Sequence, residues 1–155
     1  MFEFLKKKKE VAAPVDGICI PMGEVKDSVF SSKMLGDGFA VIPSGDVIVA
    51  PVAGEIVMLP ESKHAFGIAA PSGMEVLIHI GLDTVNLNGD GFSLLAKQGA
   101  KVKAGTPVIQ VDRRRLTEQG YDLTTMLIFT EGYDREVVLD CYGQQVRAGQ
   151  ILING

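Results

Sequence analysis

From Val11 onward, hydrophobic residues come in short runs cut by Gly, Pro and Asp, at 11–13, 17–20, 39–42, 47–50, 55–59, 65–70, 75–80, 107–111, 125–129, 136–139 and 150–153. Runs this short, each followed by a turn signal, predict many β-strands. Period-3.6 patterning is scarce; 28–35, 92–97 and 113–119 each predict a turn or two of helix. The predicted class is all-β, an antiparallel β-sandwich or barrel-sandwich hybrid with a few short helices. Two echoes add a duplicated motif. Ala13-Pro14-Val15-Asp16-Gly17 returns as Ala50-Pro51-Val52-Ala53-Gly54, and Gly99-x-x-Val102-x-x-Gly105 returns as Gly143-x-x-Val146-x-x-Gly149. Each echo predicts a turn–strand unit that packs against its twin.

With 155 residues, the chain suits one domain over 11–155. Eighteen glycines and no tryptophan fit a fold dense in turns. No apolar run approaches the roughly 20 residues of a membrane span. A net charge of −4 argues against a nucleic-acid partner, since phosphate backbones select basic faces. Residues 1–10 are set apart: Phe2, Phe4 and Leu5 precede Lys6 to Lys9, the reverse of a secretory signal. They read as a flexible basic arm, at most in peripheral contact with a membrane, and the chain is expected in the cytoplasm. Cys19 and Cys141 lie near no other Cys or His in sequence and are expected as reduced, buried thiols. Arg113-Arg114-Arg115 reads as a solvated helix face.

Candidate chemistry centres on the only two histidines, His64 and His79. Ala70-Pro71-Ser72-Gly73 marks a turn between their strands, so an antiparallel hairpin brings the two imidazoles together. Period-two alternation groups His64 with Phe66 and Ile68, and His79 with Glu75, Leu77 and Gly81. His79 sits in a nearly continuous apolar strand and needs a partner or a function there. A neutral nucleophile beside a second imidazole that steadies an incoming anion would satisfy it. Two histidines fall short of the three protein ligands of a resident zinc site. The echoes also fit a biotinyl or lipoyl swinging-arm carrier, but Val25-Lys26-Asp27 is a poor hairpin-tip lysine. Gly81, being small, leaves room for another molecule's backbone to approach.

The segment Gly73-Met74-Glu75-Val76-Leu77-Ile78-His79-Ile80-Gly81-Leu82-Asp83-Thr84-Val85 resembles the phosphoryl-acceptor signature of glucose-type enzyme IIA, from the bacterial phosphoenolpyruvate-dependent sugar phosphotransferase system. Leu35-Gly36-Asp37-Gly38-Phe39-Ala40, Val49 to Gly54, Lys63-His64-Ala65-Phe66 and Gly99-x-x-Val102-x-x-Gly105 carry the resemblance through most of 11–155. It implies a phosphocarrier domain that takes a phosphoryl group from phospho-HPr on His79 and passes it to a cysteine of a sugar permease's IIB domain. His64 would contact the phosphoryl group, Ser62 (Thr in many members) would orient His64, and the Gly81 carbonyl would fix the His79 tautomer. Val29, Phe30, Leu35 and Leu77 would form an apolar docking face, with Asp27 and Asp83 on its acidic rim. For Asp27 and Asp83, a helix N-cap and a turn position are equally good local readings. No metal or nucleotide cofactor is required; zinc is expected only where a partner's carboxylate completes the pair at a shared interface. The alternative implied is a regulatory docking protein of the same fold, controlling permeases or metabolic enzymes according to its phosphorylation state.

Overall fold

The stretch Thr125–Glu131 lacks polar alternation over its first five residues, the mark of a strand covered on both faces. It forms β11, numbered in chain order, at the centre of an antiparallel eight-stranded sheet. On one side lie β3 (Gly38–Pro43), β2 (Gly17–Pro21) and the edge strand β12 (Gln145–Val146). On the other lie β7 (Glu75–Ile80), β6 (Ala65–Ala69), β5 (Gly54–Met58) and the edge strand β9 (Lys101–Val102). Among the described residues the edges β12 and β9 do not pair, so the sheet is open and no closed barrel forms. A three-stranded sheet runs β4 (Val47–Val49), β10 (Pro107–Val111), β8 (Phe92–Leu94), and β1 (Val11–Ala12) pairs with β13 (Ile151–Ile153). The structure is a computed structural model and describes residues 10–154. Apart from Glu10, the predicted basic arm lies outside the described residues.

One face of the large sheet contributes Phe39, Phe66, Ile68, Val76, Ile78 and Leu127 to the main core, where they join Ile48, Val108 and Ile109 of the smaller sheet. Its other face carries a satellite cluster: Ile20, Ala40, Met126 and Ile128 are covered by Met22, Val25, Phe30 and Leu82. Apart from Leu82, which follows β7, the cover is the segment between β2 and β3. It holds a 3-10 turn, Met22–Glu24, and the short helix α1, Ser28–Ser31. Among the described residues, no helix is long and apolar enough to cross a membrane.

The two echoes meet in pseudo-symmetry. Gly17 faces Val146 in one half, as Gly54 faces Val102 in the other. The Gly143 amide donates to the Cys19 carbonyl, and the Gly99 amide to that of Ile56, both at 2.7 Å. Across the halves, Ala12 donates to Pro51 and Val49 to Pro14, again at 2.7 Å. Gly105 (φ 94°) and Gly149 (φ 86°) lie back to back where the two turns meet, in a left-handed conformation that glycine adopts without strain.

Two expectations need correction. Residues 92–97 are not helical: Phe92–Leu94 is β8, paired with β10, and with Leu94 and Leu95 exposed there is no helical face to bury. Residues 136–139 are not a strand. Val137 and Leu139 are buried and Val138 is exposed, so the alternation is genuine, but the backbone finds no ladder. The Val137 amide donates instead to the Asp37 carboxylate at 3.0 Å, and the Tyr142 hydroxyl donates to the Val137 carbonyl. The helix expected at 113–119 forms as α2, Arg113–Glu118, and that at 28–35 shortens to α1. The arginine triplet is a solvated face: Arg113 pairs with Asp46, Arg114 with Glu118, and Arg115 with Asp90 and Asp112.

Candidate functional site

His79 lies on the satellite face of β7. Registers across the sheet set Ala65, His79, Met126, Ala40 and Ile20 in one transverse row. An imidazole in such a row loses much of its water. Phe30, carried over it by α1, packs its ring at 4.9 Å between centroids. That helix begins at Asp27, whose carboxylate accepts from the Val29 amide at 2.9 Å. Asp27 is therefore an N-cap, and its charge also reaches His79.

The hairpin of β6 and β7 brings the second imidazole in. Centroids of His64 and His79 are 5.0 Å apart, with the rings edge to face at 80°. The proximity is as the turn signal predicts, but the face assignment is not. The strand begins at Ala65, which is the residue opposite His79, and Phe66 points into the main core. Lys63 adopts a left-handed φ of 57° just before His64, so the ring arrives from the strand mouth and not along the pleat. The Ile80 amide donates to the His64 carbonyl at 2.7 Å and secures this entry.

Each ring has one nitrogen occupied. His79 Nδ1 lies 2.9 Å from the Gly81 carbonyl oxygen. A carbonyl only accepts, so Nδ1 carries the proton and Nε2 keeps its lone pair when the ring is neutral. His64 Nδ1 lies 2.7 Å from Ser62 Oγ. Burial pushes the His64 pKa below its ordinary value. Burial, and then the neighbouring His64, push His79 down, against the upward pull of the Gly81 carbonyl and the charges of Asp27 and Asp83. At neutral pH both rings are uncharged. The site thus offers an imidazole lone pair facing a second imidazole that can donate. It suits an anionic electrophile.

A pH dependence follows. Below an ordinary histidine pKa of about 6.5 the unfolded chain takes up protons that the folded rings refuse. Stability is therefore full above that pH and falls as pH drops from about 6.5 through the depressed folded values. Ring-proton NMR titration should give both midpoints below 6.5, with the thermal midpoint declining over the same window.

Gly81 has a different task from the one its size suggests. Its φ is 82°, and its amide donates to the Thr124 carbonyl at 3.0 Å. A Cβ there would meet Thr84 Cγ2 at 2.6 Å and the Asp122 carbonyl oxygen at 2.9 Å, so the space is filled from within. The glycine aims its own carbonyl at His79, with no gap left for another backbone. Gly81→Ala is expected to cost about 2–3 kcal/mol in urea unfolding and to weaken the Nδ1–H signal of His79 in NMR.

Of the remaining predicted residues, Leu77 shares His79's face and packs on the satellite cluster. Val29 and Leu35 are 41% and 46% exposed, on α1 and in the turn after it. Asp83 is exposed with a left-handed φ of 59° and starts a 3-10 turn, Thr84–Leu87, without capping it through its side chain. Thr84 is wholly buried, and its hydroxyl donates to the Ile80 carbonyl beside the site. The signature includes Thr84 without giving it a role, and sequence reasoning passes over the Asp122–Thr124 backbone that holds Gly81 and Leu82; nothing in 122–124 signals a site. Among the described residues, no three His, Cys, Asp or Glu side chains are placed to hold a metal ion.

Residues 9–134 match the family described as phosphoenolpyruvate-dependent sugar phosphotransferase system, EIIA 1. The chain is 40% identical over 149 residues to the PTS system glucose-specific EIIA component of Mycoplasma capricolum subsp. capricolum, covering 96% of each. It is 43% identical over 120 residues to the component of the same description from Halalkalibacterium halodurans, covering 77% of this chain and 69% of that one. It is also 44% identical over 124 residues to the PTS system glucose-specific EIICBA component of Streptococcus pneumoniae; this match covers 80% of the chain but 17% of that longer protein. Among solved structures, the glucose permease IIA from Mycoplasma capricolum superimposes with a TM-score of 0.85 at 40% identity, covering 92% of each.

Proposed function

The chain belongs to the EIIA 1 family of the phosphoenolpyruvate-dependent sugar phosphotransferase system, and from that membership and the histidine geometry we propose that it is a phosphoryl carrier for glucose uptake. The observation that carries the reading is the His79 Nδ1–Gly81 carbonyl bond of 2.9 Å, which leaves Nε2 as the nucleophile beside His64.

In the first step Nε2 of His79 attacks phosphorus on the phosphohistidine of phospho-HPr. The new N–P bond forms as the donor's N–P bond breaks, and that electron pair returns to the donor imidazole. The His79 proton stays on Nδ1, where the Gly81 carbonyl, Asp27 and Asp83 offset the positive charge the ring acquires. The transition state is loose and spreads charge over the phosphoryl oxygens, so positioned donors matter more than a base. Ser62 Oγ, 2.7 Å from Nδ1 of His64, orients that ring, whose Nε2–H then faces the phosphoryl oxygens of phospho-His79 and steadies them as the group leaves for the next acceptor. In the second step a cysteine thiolate of a permease IIB domain takes the group. An S–P bond forms, and the N–P electrons return to His79.

Both partners meet the face around Phe30, Val29, Leu35 and Leu77, with Asp27 and Asp83 at its margin; a shallow apolar patch with charged edges suits an interface that forms and breaks each cycle. The fused Streptococcus pneumoniae relative supports a IIB domain as the acceptor's location. The carrier itself requires no metal or nucleotide.

The test is reconstitution. Phosphoenolpyruvate, enzyme I, HPr and membranes bearing a glucose permease without its own IIA domain are expected to phosphorylate glucose only when this chain is added. Equal rates with and without it would contradict the reading.

A further inference from the structure

Two thiols stand outside the histidine site, and the fold joins them although the sequence keeps them far apart. Cys19 in β2 is fully buried, while Cys141 is only half-buried; both are free. Residues 141–144 form a tight turn closed by the Gln144 amide on the Cys141 carbonyl at 2.9 Å, with Gly143 left-handed at φ 82° in third place. This turn is clamped onto β2 at one residue: the Cys19 amide donates to Gln144 at 3.0 Å, and the Gly143 amide to the Cys19 carbonyl at 2.7 Å. The clamp packs Cys141 against the core cluster that contains Cys19, so the two thiols are neighbours. Of the two thiols expected to be buried, Cys19 is, while Cys141 is only half-buried.

We propose that Cys19 and Cys141 are a dithiol modification site, which a peroxide-class oxidant converts into an intramolecular disulfide. Cys141, the half-buried partner, reacts first. Its sulfur attacks hydrogen peroxide: an S–O bond forms, the O–O bond breaks, and one water leaves a sulfenic acid. Cys19 is a poor first target. It has no access to solvent, and burial, then the contact with Cys141, push its pKa up. Within the clamp its sulfur attacks the sulfenyl sulfur; the S–S bond forms, the S–O bond breaks, and its proton departs with the hydroxide as a second water. Two thiols and one peroxide give one disulfide and two waters. The bond fastens the turn before β12 to β2, the strand that leads into the cover over His79. A small disulfide would close the same bond by two exchanges.

The test uses the intact chain, treated with hydrogen peroxide, and is independent of phosphotransfer. The wild type is expected to lose about 2 Da, to yield Cys19 and Cys141 peptides linked without reductant, and to recover with dithiothreitol. Closing so long a loop should raise the thermal midpoint by roughly 5–10 °C. Cys19→Ala should leave a Cys141 sulfenic acid that dimedone traps. Overoxidation of Cys141 with Cys19 still alkylatable, a disulfide-linked dimer, or no reaction would each overturn the proposal. The peptide map of the wild type decides the matter even if a variant folds poorly.

Discussion

His79→Gln is expected to abolish phosphoenolpyruvate-dependent phosphorylation of the chain and to reduce its support of glucose phosphorylation to background. The carboxamide has no nitrogen lone pair able to form the N–P bond, and no other histidine stands in the same place, because His64 lacks the carbonyl that fixes a tautomer with Nε2 free. The fold should survive. His79 is only partly buried, and a glutamine amide can still donate toward the Gly81 carbonyl, so the change in unfolding free energy should stay within about 1 kcal/mol. The comparison to make is phosphoryl incorporation against circular dichroism on one preparation. Loss of both together would attribute the defect to folding and not to the nucleophile.

His64→Gln separates the two halves of the cycle. The nucleophile and the bond that prepares it lie on His79 and Gly81, which the substitution leaves alone. Acceptance from phospho-HPr should therefore persist. Delivery should fall by roughly 10²–10³-fold, the usual cost of removing one donor aimed at developing charge. Ser62→Ala should lie between: Ser62 positions His64 through a bond of 2.7 Å, so losing the hydroxyl lets the ring turn without removing it, and about tenfold in delivery is expected. Ser62→Thr, which keeps the hydroxyl, should restore it. Single-turnover transfer from the phosphorylated chain to a IIB domain measures all three. Equal loss of acceptance and delivery in His64→Gln would place His64 in the attack itself.

What the sequence disclosed followed from how local its signals were. The strand runs, the Ala70–Gly73 turn and the paired histidines each depend on a few neighbouring residues, and the hairpin of β6 and β7 forms as they imply. The echoes became pseudo-symmetric pairings because each Val-x-Ala-Gly turn docks on an Ala-Pro-Val segment at the same register. What stayed hidden depends on long-range partners. The stretch 136–139 alternates like a strand, and only the distant Asp37 carboxylate shows why it has no ladder. His64 defies the period-two rule because the left-handed Lys63 lies outside the pleat. Gly81 looked like a gap, and only the Asp122–Thr124 backbone shows it filled. Cys19 and Cys141 looked solitary until a four-residue turn settled on β2.

The most direct test of the carrier reading is the location of the phosphoryl group on the wild type. After incubation with phosphoenolpyruvate, enzyme I and HPr, intact mass should rise by one acid-labile phosphoryl group. Nitrogen–phosphorus coupling in a ¹⁵N-histidine sample should place it on Nε2 of His79, the nitrogen that the Gly81 carbonyl leaves free. No added mass, or a group on His64, on a hydroxyl or on Nδ1, would contradict the account.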